Sequence, residues 1–133
     1  MNTLIDMVLR LLLAAALGAV IGYQRERANK PAGLRTHILI SLGSALFTVV
    51  SIFGFGDGVD VSRVAAGVVT GIGFLGAGAI LHREGGIVEG LTTAATIWAV
   101  AAIGLAAGAG LYLLSAVTTA IILIILFLPH PIQ

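Results

Sequence analysis

Residues 4–23, with the sequence LIDMVLRLLLAAALGAVIGY, form an apolar stretch that is followed at once by the charged string QRER at residues 24–27. An α-helix rises about 1.5 Å per residue, so about 20 apolar residues are needed to cross a hydrocarbon core of about 30 Å. The stretch has that length and ends where charge begins. It therefore predicts a transmembrane helix.

Four further stretches of similar length and character follow. The five predicted helices cover residues 4–23, 34–54, 63–81, 91–107 and 110–128. Their connectors hold turn residues and most of the charge, except that the fourth and fifth stretches are separated only by Gly108 and its neighbours. A reading with four crossings and a broken final hairpin stays open at that boundary.

Composition supports the same class of protein. Of 133 residues, 59% are hydrophobic and 10% charged, and the mean hydropathy is +1.11, whereas soluble domains carry about a quarter charged residues. A net charge of +1 argues against nucleic-acid binding, which relies on many phosphate contacts. We expect one domain over residues 1–133, an all-α polytopic bundle of about five closely packed transmembrane helices in the lipid bilayer.

The basic residues are distributed unevenly among the connectors, and this predicts the orientation. One set of connectors holds Arg25, Arg27, Lys30, Arg35 and Arg83, whereas the opposite side holds only Arg10 and Arg63. By the positive-inside rule, the N-terminus is expected outside and the C-terminus in the cytoplasm. Asp6 and Arg10, four residues apart, are expected to pair on one helix face.

A polar stripe follows one face of the second predicted helix. Its members are His37, Ser41, Ser44, Thr48 and Ser51, at spacings of four and three. The stripe fits a hydrated or ion-coordinating path, because polar groups in membranes face cavities or one another. It also fits hydroxyl groups that bond across packed helices, and this second reading is the favoured one.

Glycines are frequent within the apolar stretches, where membrane helices use small residues for close packing. The residues expected at such contacts are Gly18, Gly22, Gly67, Gly71, Gly73, Gly76 and Gly78. Residues 71–76 also match the dinucleotide pattern GxGxxG. We reject that reading, because the match lies inside an apolar helix rather than at a strand-to-helix turn.

Metal ligands are few. The chain has no cysteine, and His37, His82 and His130 lack paired spacing, so zinc is not expected. Mg²⁺ prefers oxygen ligands, for which the weak candidates are Glu26, Glu89, Asp57 and Asp60. Solvated surface charge is the favoured reading of each, so no cofactor is assigned and Mg²⁺ stays possible.

The predicted topology gathers a functional cluster at the cytoplasmic ends of the first, second and fourth helices. It comprises Glu26, Arg35, Thr36, His37, Glu89, Thr92, Thr93 and Thr96. Arg35 is expected to pair with Glu26 or Glu89 and hold the helix ends together, unless all three are simply solvated. No residue combination joins a nucleophile to an oriented base, so an enzyme is not expected.

Four ordered strings resemble the signature blocks of the MgtC/SapB family of membrane proteins. They are IGYQRE at 21–26, AGLRTH at 32–37, GIGFLGAGAI at 71–80 and GLTTAATIW at 90–98. The resemblance implies a bacterial inner-membrane protein associated with magnesium homeostasis, growth at low magnesium and virulence through survival in phagocytes. Some members of the family are linked to modulation of ATP synthase or of magnesium transporters.

From the resemblance we expect a non-enzymatic protein of magnesium-linked homeostasis that regulates other membrane proteins. We expect a homo-oligomer, with a dimer favoured. The alternative is a transporter or channel for Mg²⁺ or protons in its own right. Many relatives carry a soluble cytoplasmic domain after the helices; this sequence ends at Gln133, so that domain is expected to be naturally absent or removed.

Overall fold

The computed structural model describes residues 2–83 and 87–129, and the side chains of residues 3–80 and 90–129. The elements are α1 (Asn2–Arg27), α2 (Leu34–Phe53), α3 (Ser62–Ala79), β1 (Leu81–Arg83), β2 (Ile87–Glu89), α4 (Leu91–Gly108) and α5 (Tyr112–Leu126). The predicted all-α bundle of five helices is confirmed. The sequence did not predict the two short strands, which form an antiparallel hairpin with Leu81 opposite Glu89.

The hairpin ends at a glycine that the fold requires. Gly90 has φ +92°, and a Cβ at this position would overlap the carbonyl oxygen of Ala79. Residues other than glycine rarely adopt this backbone conformation. Gly90 therefore lets α4 begin directly beside the end of α3.

Among the described residues, α1 to α4 are long and apolar enough to cross a membrane. The fifth helix is shorter than the predicted 110–128: it has 15 residues, which corresponds to about 22 Å. Gly110, with φ +85°, and the turn at residues 109–111 delay its start. Ile122 and Leu126 nevertheless pack against the buried cluster of Ile21, so α5 follows much of the length of α1.

Helix α4 lies at the centre and contacts each of the other four helices. The buried clusters at successive levels are Ala14 with Ala45 and Ala107, Ile21 with Val100 and Ile103, and Ile72 with Ile97 and Ala101. Larger apolar side chains such as Leu12, Phe47 and Leu113 are exposed on the outside. Small residues inside and large apolar residues outside suit a bundle that is solvated by lipid.

Close helix approach occurs at the glycines of α1 and α4. A Cβ at Gly18 would lie 2.5 Å from the carbonyl oxygen of His37, and one at Gly22 would lie 2.8 Å from Cα of Leu34. Gly104 and Gly108 likewise face the backbone of α2. The backbones of α1 and α4 therefore touch α2 directly, as predicted for Gly18 and Gly22.

Within this chain, the predicted helix contact is wrong for four of the five glycines of α3. A Cβ at Gly67, Gly71, Gly73 or Gly78 would meet no atom within 4 Å, and one at Gly76 would make only ordinary contact with Ala94. The reason is that α3 packs mainly on α4, through the side that holds Ile72 and Gly76, and has few contacts with α2. Most of its glycines are left on open faces.

The predicted pair of Asp6 and Arg10 is confirmed, with an N···O distance of 2.7 Å. Arg10 also donates a hydrogen bond to the carbonyl oxygen of Gly108 at 2.9 Å, and Asp6 accepts one from the hydroxyl of Tyr112. A cation at the C-terminus of a helix is favourable, because the unpaired carbonyls there carry partial negative charge. The pair therefore fastens α1 to the turn between α4 and α5.

Candidate functional site

The polar stripe of α2 is buried in the bundle, with all five side chains at most 7% exposed. Ser44 donates a hydrogen bond to the carbonyl oxygen of Ala101 in α4 at 2.7 Å. Thr48 donates to the carbonyl oxygen of Ser44 at 2.8 Å, and Ser51 donates to that of Val61 at 3.3 Å. The part of the stripe from Ser44 to Ser51 thus donates its hydroxyl hydrogens to backbone carbonyls.

The end of the stripe at the start of α2, which consists of His37 and Ser41 and which we call its inner end, is equally buried but less fully hydrogen-bonded. His37 is 0% exposed, and its Nδ1–H donates to the carbonyl oxygen of Gly33 at 3.0 Å. Its Nε2 atom and the hydroxyl of Ser41 are buried without a hydrogen-bond partner among the described groups. Buried polar atoms of this kind are uncommon, so this end of the bundle is polar but incompletely paired.

Arg25, near the end of α1, is the residue that organises this region. It is only 2% exposed, and its guanidinium donates to the carbonyl oxygen of Pro31 at 2.9 Å and to the hydroxyl of Thr93. Its Nε atom has no partner. No carboxylate pairs with it among the side chains that the structure describes. Arg25 is thus a buried cation held by neutral oxygens.

The sequence interpretation treated Arg25 only as one of the connector charges and therefore missed its position. The sequence does contain a pattern that predicts the buried position of Arg25. Ala14, Gly18 and Gly22 lie four residues apart on the packed face of α1, and Arg25 is three residues farther on. Residues at these spacings share one helix face, so the continuation of that face predicts an inward-pointing arginine.

The predicted functional cluster is brought together only in part. Arg35 and Thr36 are exposed, and the expected ion pair of Arg35 with Glu26 is absent. Instead, Glu26 accepts a hydrogen bond from the backbone N–H of Leu34 at 3.2 Å. The carboxylate of Glu26 thereby satisfies one of the free N–H groups at the start of α2. The side chain of Glu89, the other expected partner, lies outside the described side chains.

The three threonines of α4 do lie beside Arg25. Thr93 and Thr96 are each 4% exposed, and Thr96 donates to the carbonyl oxygen of Thr92 at 2.7 Å. Together with Arg25, Thr92, Thr93 and Thr96 line a cavity of about 890 Å³ between the ends of α1, α3, α4 and α5. This cavity, which we name the Arg25 cavity, is the candidate functional site.

The remaining carboxylate candidates lie elsewhere. Asp57 and Asp60 are exposed in the connector between α2 and α3, at the opposite end of the bundle. Asp60 accepts hydrogen bonds from the backbone N–H and the hydroxyl of Ser62, at 3.1 and 2.6 Å. Within the described part of the chain, no three His, Asp or Glu side chains are grouped as a metal site would require.

Comparison with known proteins identifies the family. The sequence pattern of the MgtC family matches residues 11–133. The protein named "Putative magnesium transporter YhiD" from Escherichia coli K12 is 50% identical over 94% of this chain. MgtC of Brucella abortus is 47% identical over 90% of this chain, and SapB of Bacillus subtilis is 43% identical over 80%.

The match covers only part of these relatives. This chain spans 61% of the YhiD protein and 49% of the MgtC and SapB proteins. No solved structure gives a significant match. The match over nearly the whole chain confirms the resemblance seen in the four sequence strings: the chain belongs to the MgtC family of bacterial membrane proteins.

Proposed function

We propose that this MgtC-family protein acts in magnesium-linked homeostasis by regulating other membrane proteins, and that it is neither an enzyme nor a conduit for Mg²⁺. The proposal is supported chiefly by the state of the polar stripe of α2. A conducting path needs polar groups that face a water-filled space. Here the stripe is buried against neighbouring helices, and the hydroxyl groups of Ser44 and Thr48 donate their hydrogens to backbone carbonyls.

The charge at the inner end of the stripe supports the same proposal. Mg²⁺ is bound through carboxylates and water and keeps much of its hydration shell. The buried ionisable groups at that end are instead Arg25 and His37. A fixed guanidinium repels a divalent cation, and no described carboxylate lines the Arg25 cavity to offset it.

A regulator also needs a surface for contact with its target, and the outer face of α3 is suited to this role. Gly67 and Gly71 lie one turn apart on a groove of about 580 Å³ between α2 and α3, which Leu39 and Phe47 line from the other side. Another helix could approach closely at these glycines. We propose this groove as the contact for a second copy of the chain or for a target such as a magnesium transporter or ATP synthase.

Two measurements on the same protein, one in liposomes and one in cells, test the proposal. Purified protein is reconstituted in liposomes that contain a Mg²⁺-sensitive dye, and uptake is compared with that of empty liposomes. In parallel, the gene is tested for support of growth at low Mg²⁺ in a strain that depends on it. We expect no uptake above the empty-liposome control together with full support of growth.

The alternative function, transport of Mg²⁺ or protons, predicts a different result. Uptake that rises with the amount of protein and is lost in Ser44→Leu would establish a path along α2 and overturn the regulatory proposal. The matched control is Ala120→Leu, an exposed position on α5, which should leave both readouts unchanged.

A further inference from the structure

The Arg25 cavity combines a cationic polar end with an apolar wall. Arg25 and Lys30 are the ionisable residues that line it among the described side chains. The hydroxyl residues of α4 lie on the same side as Arg25. Apolar lining continues with Ala99, which lies three residues beyond Thr96 in α4, and with Ile122 and Ile125 from α5.

The buried guanidinium indicates that the polar end is built for an anion. A charged group that is withdrawn from water is normally paired, because neutral oxygens only partly replace its hydration. Arg25 is 2% exposed, has an unpartnered Nε atom, and meets only neutral acceptors among the described groups. An anionic oxygen in the cavity would supply the missing charge.

The start of α4 adds to this preference. The N-terminus of a helix carries partial positive charge and attracts anions. Gly90 and Thr93, at the start of α4, both line the cavity. Glu26, the nearest described carboxylate in sequence, does not line the cavity and accepts a bond from the N–H of Leu34. The described surroundings of Arg25 therefore carry positive potential.

The apolar wall indicates the kind of molecule that carries the anion. Ile125 is 52% exposed on the outside of α5, so the cavity wall is continuous with the lipid-facing surface. A soluble anion would gain nothing from that wall, whereas an acyl chain would. Basic pockets between transmembrane helices at the membrane surface are known to accept anionic lipid headgroups.

We propose that the Arg25 cavity binds one anionic phospholipid, with the headgroup phosphate at Arg25 and Thr93 and an acyl chain along Ala99 and Ile125. This assignment is independent of the regulatory proposal, because a transporter could hold the same lipid. The contact would fasten the end of α1 to α4 through a charge-assisted hydrogen bond.

The test is a titration of the full chain in neutral detergent with phosphatidylglycerol, with the bound fraction measured by native mass spectrometry. Diacylglycerol with the same chains and inorganic phosphate are the comparison ligands. We expect phosphatidylglycerol alone to bind tightly. Equal binding of inorganic phosphate would overturn the assignment to a lipid, and equal binding of diacylglycerol would overturn the role of Arg25.

Variants locate the site. Arg25→Gln should weaken phosphatidylglycerol binding by about 10- to 100-fold, the usual effect of losing one charge-assisted hydrogen bond. Arg27→Gln, an exposed control two residues away, should bind like the wild type. If Arg25→Gln does not fold, Arg25→Lys, which keeps the charge but not the planar donor group, should still weaken binding. Unchanged binding in the folded Arg25 variant would refute the proposal.

A final variant distinguishes two possible partners of Arg25, a bound lipid and a carboxylate of the chain itself. Glu89 directly precedes Gly90, so its carboxylate is the alternative partner of Arg25. In that case the wild type would bind phosphatidylglycerol no better than diacylglycerol, and Glu89→Gln would gain binding; this result would overturn the proposal. We expect instead that the wild type and Glu89→Gln bind phosphatidylglycerol within about twofold of each other, which corresponds to about 0.4 kcal/mol.

Discussion

Replacement of Gly104 by alanine tests the direct contact between the backbones of α2 and α4. A Cβ at this position would overlap the carbonyl oxygen of Ser41 and lie 2.9 Å from its carbonyl carbon and Cα. All three are backbone atoms, so no side-chain rotation relieves the contact and the two helices must separate. Separation would also strain the hydrogen bond from Ser44 to Ala101, 2.7 Å long and about one turn away.

The expected loss of stability follows from these contacts. Overpacking in a closely packed interior costs about 1–3 kcal/mol, and leaving a buried hydrogen bond unmade costs about 1–3 kcal/mol more. Alanine gains about 1 kcal/mol over glycine in helix propensity. We therefore expect Gly104→Ala to lower the free energy of unfolding by at least about 1 kcal/mol.

Gly43→Ala is the matched control. It lies within α2, gains the same propensity, and meets no atom within 4 Å, so its stability should be equal to or above that of the wild type. The free energy of unfolding is measured by far-UV circular dichroism during titration of mixed micelles with sodium dodecyl sulfate. Equal stability of the two variants would refute the close contact of α2 and α4.

Three further predictions concern other parts of the bundle. Arg10→Ala should lower stability by about 1–3 kcal/mol in the same titration, because it removes a charge-assisted bond to a helix C-terminus; an unchanged midpoint would contradict this. Gly71→Leu should leave the stability of the isolated chain like that of Ala120→Leu but abolish support of growth at low Mg²⁺; a large loss of stability in Gly71→Leu alone would show that α3 packs within the chain. In intact cells, Asn29→Cys should resist an impermeant thiol reagent while Gly58→Cys reacts, and the reverse pattern would invert the predicted orientation.

The sequence predicted the helices well because the length and apolarity of each stretch decide its structure in a membrane. The first and fifth helices were the least accurate. Helix α1 extends four residues beyond its predicted end at Tyr23, to Arg27, and α5 is two residues shorter than predicted at each end. Its predicted start at Gly110 falls on a residue with φ +85°, and periodicity in an evenly apolar stretch cannot show where a turn ends. The short hairpin was missed for a similar reason, since three-residue strands leave almost no periodic signal.

The candidate site was harder to predict than the fold. Thr93 and Thr96, which the sequence placed in the predicted functional cluster, line the Arg25 cavity, because the start of α4 lies beside the end of α1. Arg35 was selected where Arg25 is the buried cation, because a charge in a basic connector is ordinarily solvated. Likewise, the glycine spacing in α3 predicted which glycines share a helix face, but it could not show whether another helix packs on that face.

Access of water to the stripe of α2 is the most direct test of whether this protein is a conduit. The chain has no cysteine, so Ser44→Cys, buried at 5% exposure in the wild type, can be probed without background. In native membranes we expect a small water-soluble thiol reagent to modify the exposed control Asp57→Cys but not Ser44→Cys, which should react only after denaturation. Modification of Ser44→Cys in native membranes at the rate of the control would show a hydrated path and contradict the account.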